Sequence, residues 1–238
     1  MRTHPVVSRA VTSQESLVNT ALVCRRACYS SAIALVVGIA GCSSPERTRS
    51  LADPGTSAIT IAVQVCSNCH GVTGRSTSPN FPMLAAQGEP YLIAQLAAFK
   101  HHGRSDPDGF EYMWGISAHL TDAQITGLAH YYFSQSPPEG RAGDPEKIAA
   151  GKRIFQEGIS SKNVSACSSC HGVAAQGMAN FPRLAGQHAA YLIKQLLVFQ
   201  QTDARPEGAV MKAITHGMSA TSMAEVAEYL QSLGERPN

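Results

Sequence analysis

The chain has 238 residues, with 19 Lys and Arg against 17 Asp and Glu, a formal net charge of +2 and 44% hydrophobic residues. So even a balance offers no strongly basic surface from which to argue nucleic-acid binding. Seven cysteines are present, and their spacing along the chain carries most of the information.

The first predicted element is a leader. Residues 32–40 are a continuous apolar run, with Arg25 and Arg26 before it and Ile39-Ala40-Gly41-Cys42 at its end. The run is too short to cross a bilayer comfortably. Basic residues, a short apolar stretch and small residues before a cut form an export signal. The closing cysteine resembles a bacterial lipobox, with Cys42 as the lipid-modified residue. The polar stretch at residues 3–20 is unusually long for such a signal and places the effective start nearer Val23. We assign residues 1–41 to the signal peptide and 42–57 to a tether. Removing residues 1–41 takes away Arg2, Arg9, Arg25, Arg26 and Glu15, leaving 197 residues with a formal charge of −1. The mildly basic balance therefore belongs to the leader.

The next segment, residues 58–135, reads as a helical domain. A weak helix over 58–65 runs into Cys66-Ser67-Asn68-Cys69-His70. A C-x-x-C-H sequence is a haem c attachment motif: each thiol adds to one vinyl group of the porphyrin, and the adjacent imidazole is held beneath the iron. Tyr91, Leu92, Gln95, Leu96 and Phe99 follow helical spacing and predict a helix over 89–101. Thr121 and Asp122 suit the start of a last helix over 121–134. Residues 136–143, rich in proline and glycine, are the linker. Its shortness predicts domains that sit close together.

Residues 144–238 repeat the plan. Asp144-Pro145-Glu146 is a helix start, with a capping acid and proline at the first helical position. Ile148, Ala149, Ile154 and Phe155 form its apolar stripe. Cys167-Ser168-Ser169-Cys170-His171 is the second attachment motif. Helices are predicted over 188–201 and 219–233. No alternating strand pattern appears, so the fold class is all-α. Four cysteines attach haem, Cys42 takes lipid, and Cys24 and Cys28 leave with the leader.

The two segments are an internal duplication. Asn80-Phe81-Pro82 returns as Asn180-Phe181-Pro182, Leu84-Ala85-Ala86-Gln87 as Leu184-Ala185-Gly186-Gln187, and Tyr91-Leu92-Ile93-Ala94-Gln95-Leu96 as Tyr191-Leu192-Ile193-Lys194-Gln195-Leu196. The offset is 101 at the haem motifs, 100 in the middle block and 98 near the ends. Units this small need help to build a core, and a large buried cofactor supplies it.

The paired motifs, the two Phe-Pro-x-Leu-Ala-(Ala/Gly)-Gln blocks and the two Tyr-Leu-Ile-x-Gln-Leu helices resemble the cytochrome c4 family, over roughly residues 58–236. The resemblance implies two tandem class I cytochrome c domains, each wrapped around one covalent haem c, in an exported electron carrier. His70 and His171 are then the proximal iron ligands. For the distal ligand, the first repeat offers Met83 and Met113, and the second offers Met178, Met211, Met218 and Met223. Aligning the last helices pairs Met113 with Met211, Leu120 with Met218 and Ile125 with Met223. Met113 and Met211 are the only register-matched methionines, and they fall where the family places its distal ligand. His216, five residues past Met211, is the rival. Pro82 and Pro182 fall where class I cytochromes use a proline carbonyl to hold the histidine, or are ordinary turn prolines. Arg104 and Arg205 follow the middle helices, as partners of haem propionates or as solvated arginines. Trp114 is expected to shield the first haem. The remaining histidines, His188 among them, have no counterpart in the other repeat and read as structural.

A thioether on the sixth position closes the iron and raises its potential, which suits a carrier. The expected function is a membrane-tethered periplasmic electron carrier working between redox proteins, respiratory donors on one side and a terminal oxidase or reductase on the other. It needs no small-molecule substrate and no nucleic acid. The alternatives are the haem subunit of a dehydrogenase complex and a dihaem peroxidase, which would need one iron open beside an acid–base group.

Overall fold

The computed structural model describes residues 53–234. The leader and Cys42 lie outside these residues. Within them the chain forms ten α-helical segments with short π- and 3₁₀-helical turns, no named strand, and two isolated antiparallel bridges, Ile159 with Val164 and Met178 with Phe181. No helix among the described residues is long and apolar enough to cross a membrane.

In the first domain, α1 (Ala58–Ile61) starts at Ser57, whose hydroxyl accepts from the Thr60 N–H. It passes through a π-helical stretch, Ala62–Cys66, directly into α2 (Ser67–His70). The attachment motif thus forms the end of one continuous helical run. Gly71 ends it at a φ of +75°, where a β-carbon would collide with the Arg75 carbonyl. α3 (Glu89–Lys100) has proline in its first turn. A second π-helical stretch, Gly109–Met113, leads into α4 (Trp114–Ser117). α5 (Asp122–Phe133) begins with a capping box between Thr121 and Gln124. α5 packs on α1 and α3, and Ile61, Leu92, Leu120, Ile125, Leu128 and Tyr132 form the core between them.

In the second domain, α6 (Pro145–Glu157) is capped by the Asp144 carboxylate, which accepts from the Glu146 and Lys147 N–H groups. α6 ends at Gly158, and a loop pinned by the Ile159–Val164 bridge intervenes before α7 (Ser168–His171). α8 (Ala189–Gln201), α9 (Ala209–Thr215) and α10 (Ala220–Ser232) complete the domain. α10 packs along α6 and α8. Phe155, Leu192, Met223, Val226 and Leu230 are buried between them, and Met218 joins the same core. The helix around Met211 and the π-helical turn before Met113 were not predicted. Neither segment has enough apolar periodicity of its own.

The two domains make one compact unit. Arg75 of the first domain donates to the linker carbonyls of Ser136 and Pro137, and the Arg141 N–H donates to the Gln231 carbonyl of α10. The linker is therefore fastened at both ends.

Candidate haem-binding sites

Each attachment motif occupies one helical turn, which brings its two cysteines to one side. Cys66, Cys69, Cys167 and Cys170 are free and partly exposed. Burial pushes the Cys66 and Cys167 thiols up to about 11. They are protonated at neutral pH, the reverse of the activated thiolates of a redox C-x-x-C pair. Among the described residues no cluster of histidine, cysteine and carboxylate side chains could hold a bare metal ion.

His70 and His171 are buried at the ends of α2 and α7. The Nδ1 of His70 lies 2.9 Å from the Pro82 carbonyl, and that of His171 lies 2.9 Å from the Pro182 carbonyl. A carbonyl can only accept, so each Nδ1 carries the proton and each Nε2 keeps its lone pair. Burial lowers both imidazoles below their ordinary range, and the proline carbonyls only partly offset it. Both rings are therefore neutral and ready to ligate. Phe81 and Phe181 meet them edge-on, with centroids 6.2 and 6.0 Å away.

Met113 and Met211 are half-buried in matching places. The Met113 carbonyl accepts from the Ser117 hydroxyl at 2.6 Å and the Met211 carbonyl from the Thr215 hydroxyl at 2.8 Å. Both hydroxyl residues are fully buried. Sequence reasoning misses these two residues, although they share the offset of 98 that pairs the methionines. His216 is exposed, and Met178 is more than half exposed. Met83 is buried on the stretch just after Pro82, and its main chain is held by Gln187. Trp114 donates its indole N–H to the Arg104 carbonyl and stacks on His102 at 4.0 Å.

Arg104 and Arg205 are buried, so neither is a solvated arginine. They lie in the seam between the domains, related by the pseudo-symmetry of the repeat. Arg104 pairs with Asp106, donates to Gln95 at 2.7 Å, and reaches Gln195 and Tyr191 of the other domain. Arg205 pairs with Glu207, donates to Gln195 at 2.6 Å, and reaches Gln95 and Tyr91. Each guanidinium lies 4.6 Å from a ring centroid of its own domain, Phe99 or Phe199. Burial works to raise the Asp106 carboxyl, but the Arg104 hydrogen bonds and charge outweigh it and hold the group ionised.

Taken together, each domain offers two free cysteines on one turn, a neutral imidazole with a free Nε2, and a half-buried thioether. The Tyr132 hydroxyl is buried against the Cys66 thiol. This donor set fits haem c rather than zinc.

The cytochrome c family model matches residues 59–134 and 148–234, one match around each motif. Cytochrome c-552 of Acidithiobacillus ferridurans is 42% identical over 71% of this chain and 73% of its own length. The structure of Acidithiobacillus ferrooxidans cytochrome c4 superposes with a TM-score of 0.64 at 40% identity, over 71% of this chain and 98% of that one. The chain belongs to the cytochrome c family, as a cytochrome c4. As in other cytochromes c4, its two domains carry two covalent haem c groups, and it is an electron-transfer protein rather than an enzyme. As an electron-transfer protein it works with redox protein partners. A "thiosulfate dehydrogenase electron acceptor" of Stutzerimonas stutzeri is also similar, 32% identical over 74% of this chain and 82% of its own length.

Proposed function

We propose that this cytochrome c4 is a periplasmic carrier tethered to a membrane through lipid on Cys42. His70 and Met113 would hold the first haem iron, and His171 and Met211 the second. Cys66 and Cys69 attach the first haem, and Cys167 and Cys170 the second. The observation that carries the reading is the repetition itself. The histidine-to-proline contact and the hydroxyl-braced methionine each occur once per domain, with equivalent partners at register-matched positions and nearly the same distances.

The haem group supplies a one-electron iron couple. The protein's residues do the rest. Pro82 and Pro182 hold the imidazoles in one tautomer and orientation, which makes them stronger ligands. The thioethers favour the reduced iron, raise the potential and leave no position open for substrate. Arg104 and Arg205 bring positive charge into the seam, which would favour haem propionates nearby, while Asp106 takes the fork of Arg104 and Glu207 pairs with Arg205. A bacterial lipoprotein carries more than one acyl chain, enough for stable anchoring.

The ligand set is tested by visible absorption of the oxidised holoprotein. The weak methionine-to-iron charge-transfer band should lose about half its intensity in Met113→His and in Met211→His, and all of it in the double variant. A band that survives both substitutions sinks the assignment. Mass spectrometry of the N-terminal peptide tests the lipid on Cys42. A second reading, in which the chain takes electrons from a thiosulfate dehydrogenase, is favoured by the similarity to that enzyme's electron acceptor. Stopped-flow reduction by thiosulfate with such an enzyme, against enzyme-free controls, decides it.

A further inference from the structure

Each proximal histidine is braced by a glutamine of the opposite domain. The peptide between Pro82 and Met83 has two partners. Its carbonyl accepts from His70 Nδ1 at 2.9 Å, and its N–H donates to Gln187 Oε1 at 2.8 Å. The peptide between Pro182 and Arg183 repeats this in reverse: its carbonyl accepts from His171 Nδ1 at 2.9 Å, and its N–H donates to Gln87 Oε1 at 2.6 Å. Each glutamine closes the pairing by donating from Nε2 to the next carbonyl, Met83 or Arg183, both at 3.0 Å. Each Oε1 also accepts from the N–H of the residue after it, Gly88 at 3.0 Å or His188 at 3.1 Å. These N–H and carbonyl partners fix which end of each amide is oxygen. Both glutamines are buried.

The chemistry of the peptide links the two contacts. Resonance gives the C–N bond double-bond character, so an acceptor at the N–H pushes electron density onto the carbonyl oxygen. Chains of hydrogen bonds strengthen one another in this way. A stronger carbonyl acceptor draws harder on Nδ1–H and makes the imidazole a more basic iron ligand. A more basic ligand favours oxidised iron and lowers the potential.

We propose that Gln187 and Gln87 are positioning residues that set haem potential across the domain seam, Gln187 through His70 and Gln87 through His171. Each iron then senses the packing of its neighbour's domain. The proposal rests on the histidine assignment made above.

The test is spectroelectrochemical titration of Gln187→Met and Gln87→Met holoproteins, with each haem assigned by its paramagnetic NMR signals. Gln187→Met should raise the potential of the haem on Cys66 and Cys69. At fixed potential its oxidised-to-reduced ratio should change about threefold, which is about 30 mV at 59 mV per tenfold for one electron. The other haem should move much less, and Gln87→Met should give the mirror result. Gln187→Glu keeps an acceptor for the Met83 N–H, so it should leave the first potential unchanged or lower it. A shift in the substituted residue's own domain, an equal shift in both, no shift, or a rise in Gln187→Glu matching that of Gln187→Met would overturn the proposal. A wild-type protein lacking two histidine–methionine spectra would instead overturn the ligand reading.

Discussion

The two domains descend from one plan and solve the same problem with different packing. In the first, α1 runs without a break into Cys66. In the second, α6 is a full 13-residue helix that ends in glycine, and a pinned loop leads on to Cys167. The second core is correspondingly larger, with Phe155 fully buried at its centre. Around the first site Trp114 fills the space beside Arg104. Its counterpart Lys212 pairs instead with Asp203 and borders a cavity of about 160 Å³ lined by Phe199, Arg205 and Pro206. Tyr132 beside Cys66 becomes Leu230. What does not vary is the repeated local geometry: two cysteines on a turn, a proline carbonyl at each histidine Nδ1, and a buried hydroxyl on the carbonyl of each matched methionine. Packing tolerates several solutions of equal volume, whereas a ligand must meet iron in one geometry.

The largest test of this difference lies in the seam. Asp106 is 1% exposed, whereas the Glu207 side chain is 27% exposed. Arg104→Leu strands a buried carboxylate and should cost about 3–5 kcal/mol. Arg205→Leu leaves a carboxylate that water reaches and should cost about 2 kcal/mol. Urea midpoints of the holoproteins measure both, and equal losses would mean the pseudo-symmetric pairs are energetically alike.

Next comes the position beside each methionine. Trp114→Ala removes a half-buried ring and its indole hydrogen bond and should cost about 2 kcal/mol. Lys212→Ala breaks a pair in which Asp203 is largely exposed and should cost less than about 1 kcal/mol. Thermal unfolding of the two variants checks the order.

The smaller effects are in the pH dependence. Asp106 titrates below its ordinary value, so its contribution is present above about pH 4 and fades as pH falls through the folded value. Stability curves of wild type and Asp106→Asn should therefore converge in acid. His188 is 1% exposed, and its Nε2 lies 3.1 Å from the Ser76 carbonyl in the first haem loop. The matching residue, Gly88, gives the second haem loop no such tie. Burial, with Arg141 nearby, holds His188 neutral in the folded protein. The unfolded chain takes up a proton below about pH 6.5, so wild type loses stability as pH falls there. His188→Gln should lose it less steeply while keeping a donor to Ser76. Parallel curves between pH 7 and 5 would show that His188 does not titrate on unfolding.

Much of the fold was legible because its signals are local. Helix starts at Asp144 and Thr121, the apolar spacing of Tyr91 to Phe99, and the repeated blocks each speak within a few residues. The pairing of Met113 with Met211 was legible for another reason, the register of a duplication. The helix carrying Met211 and the π-helical stretch ending at Met113 were not, because packing against neighbouring helices holds them and not their own periodicity.

The amino-acid sequence by itself determined that haem is attached twice, in two helical domains of one ancestry, since covalent attachment demands adjacent residues in fixed order. Only the tertiary structure decided what surrounds those sites. Arg104 and Arg205 meet in the seam, His188 reaches the first haem loop, and Gln87 and Gln187 cross over to hold each other's proline peptides. Those contacts join residues about a hundred positions apart. No local pattern marks such pairs, because their energy comes from burying two domains against each other.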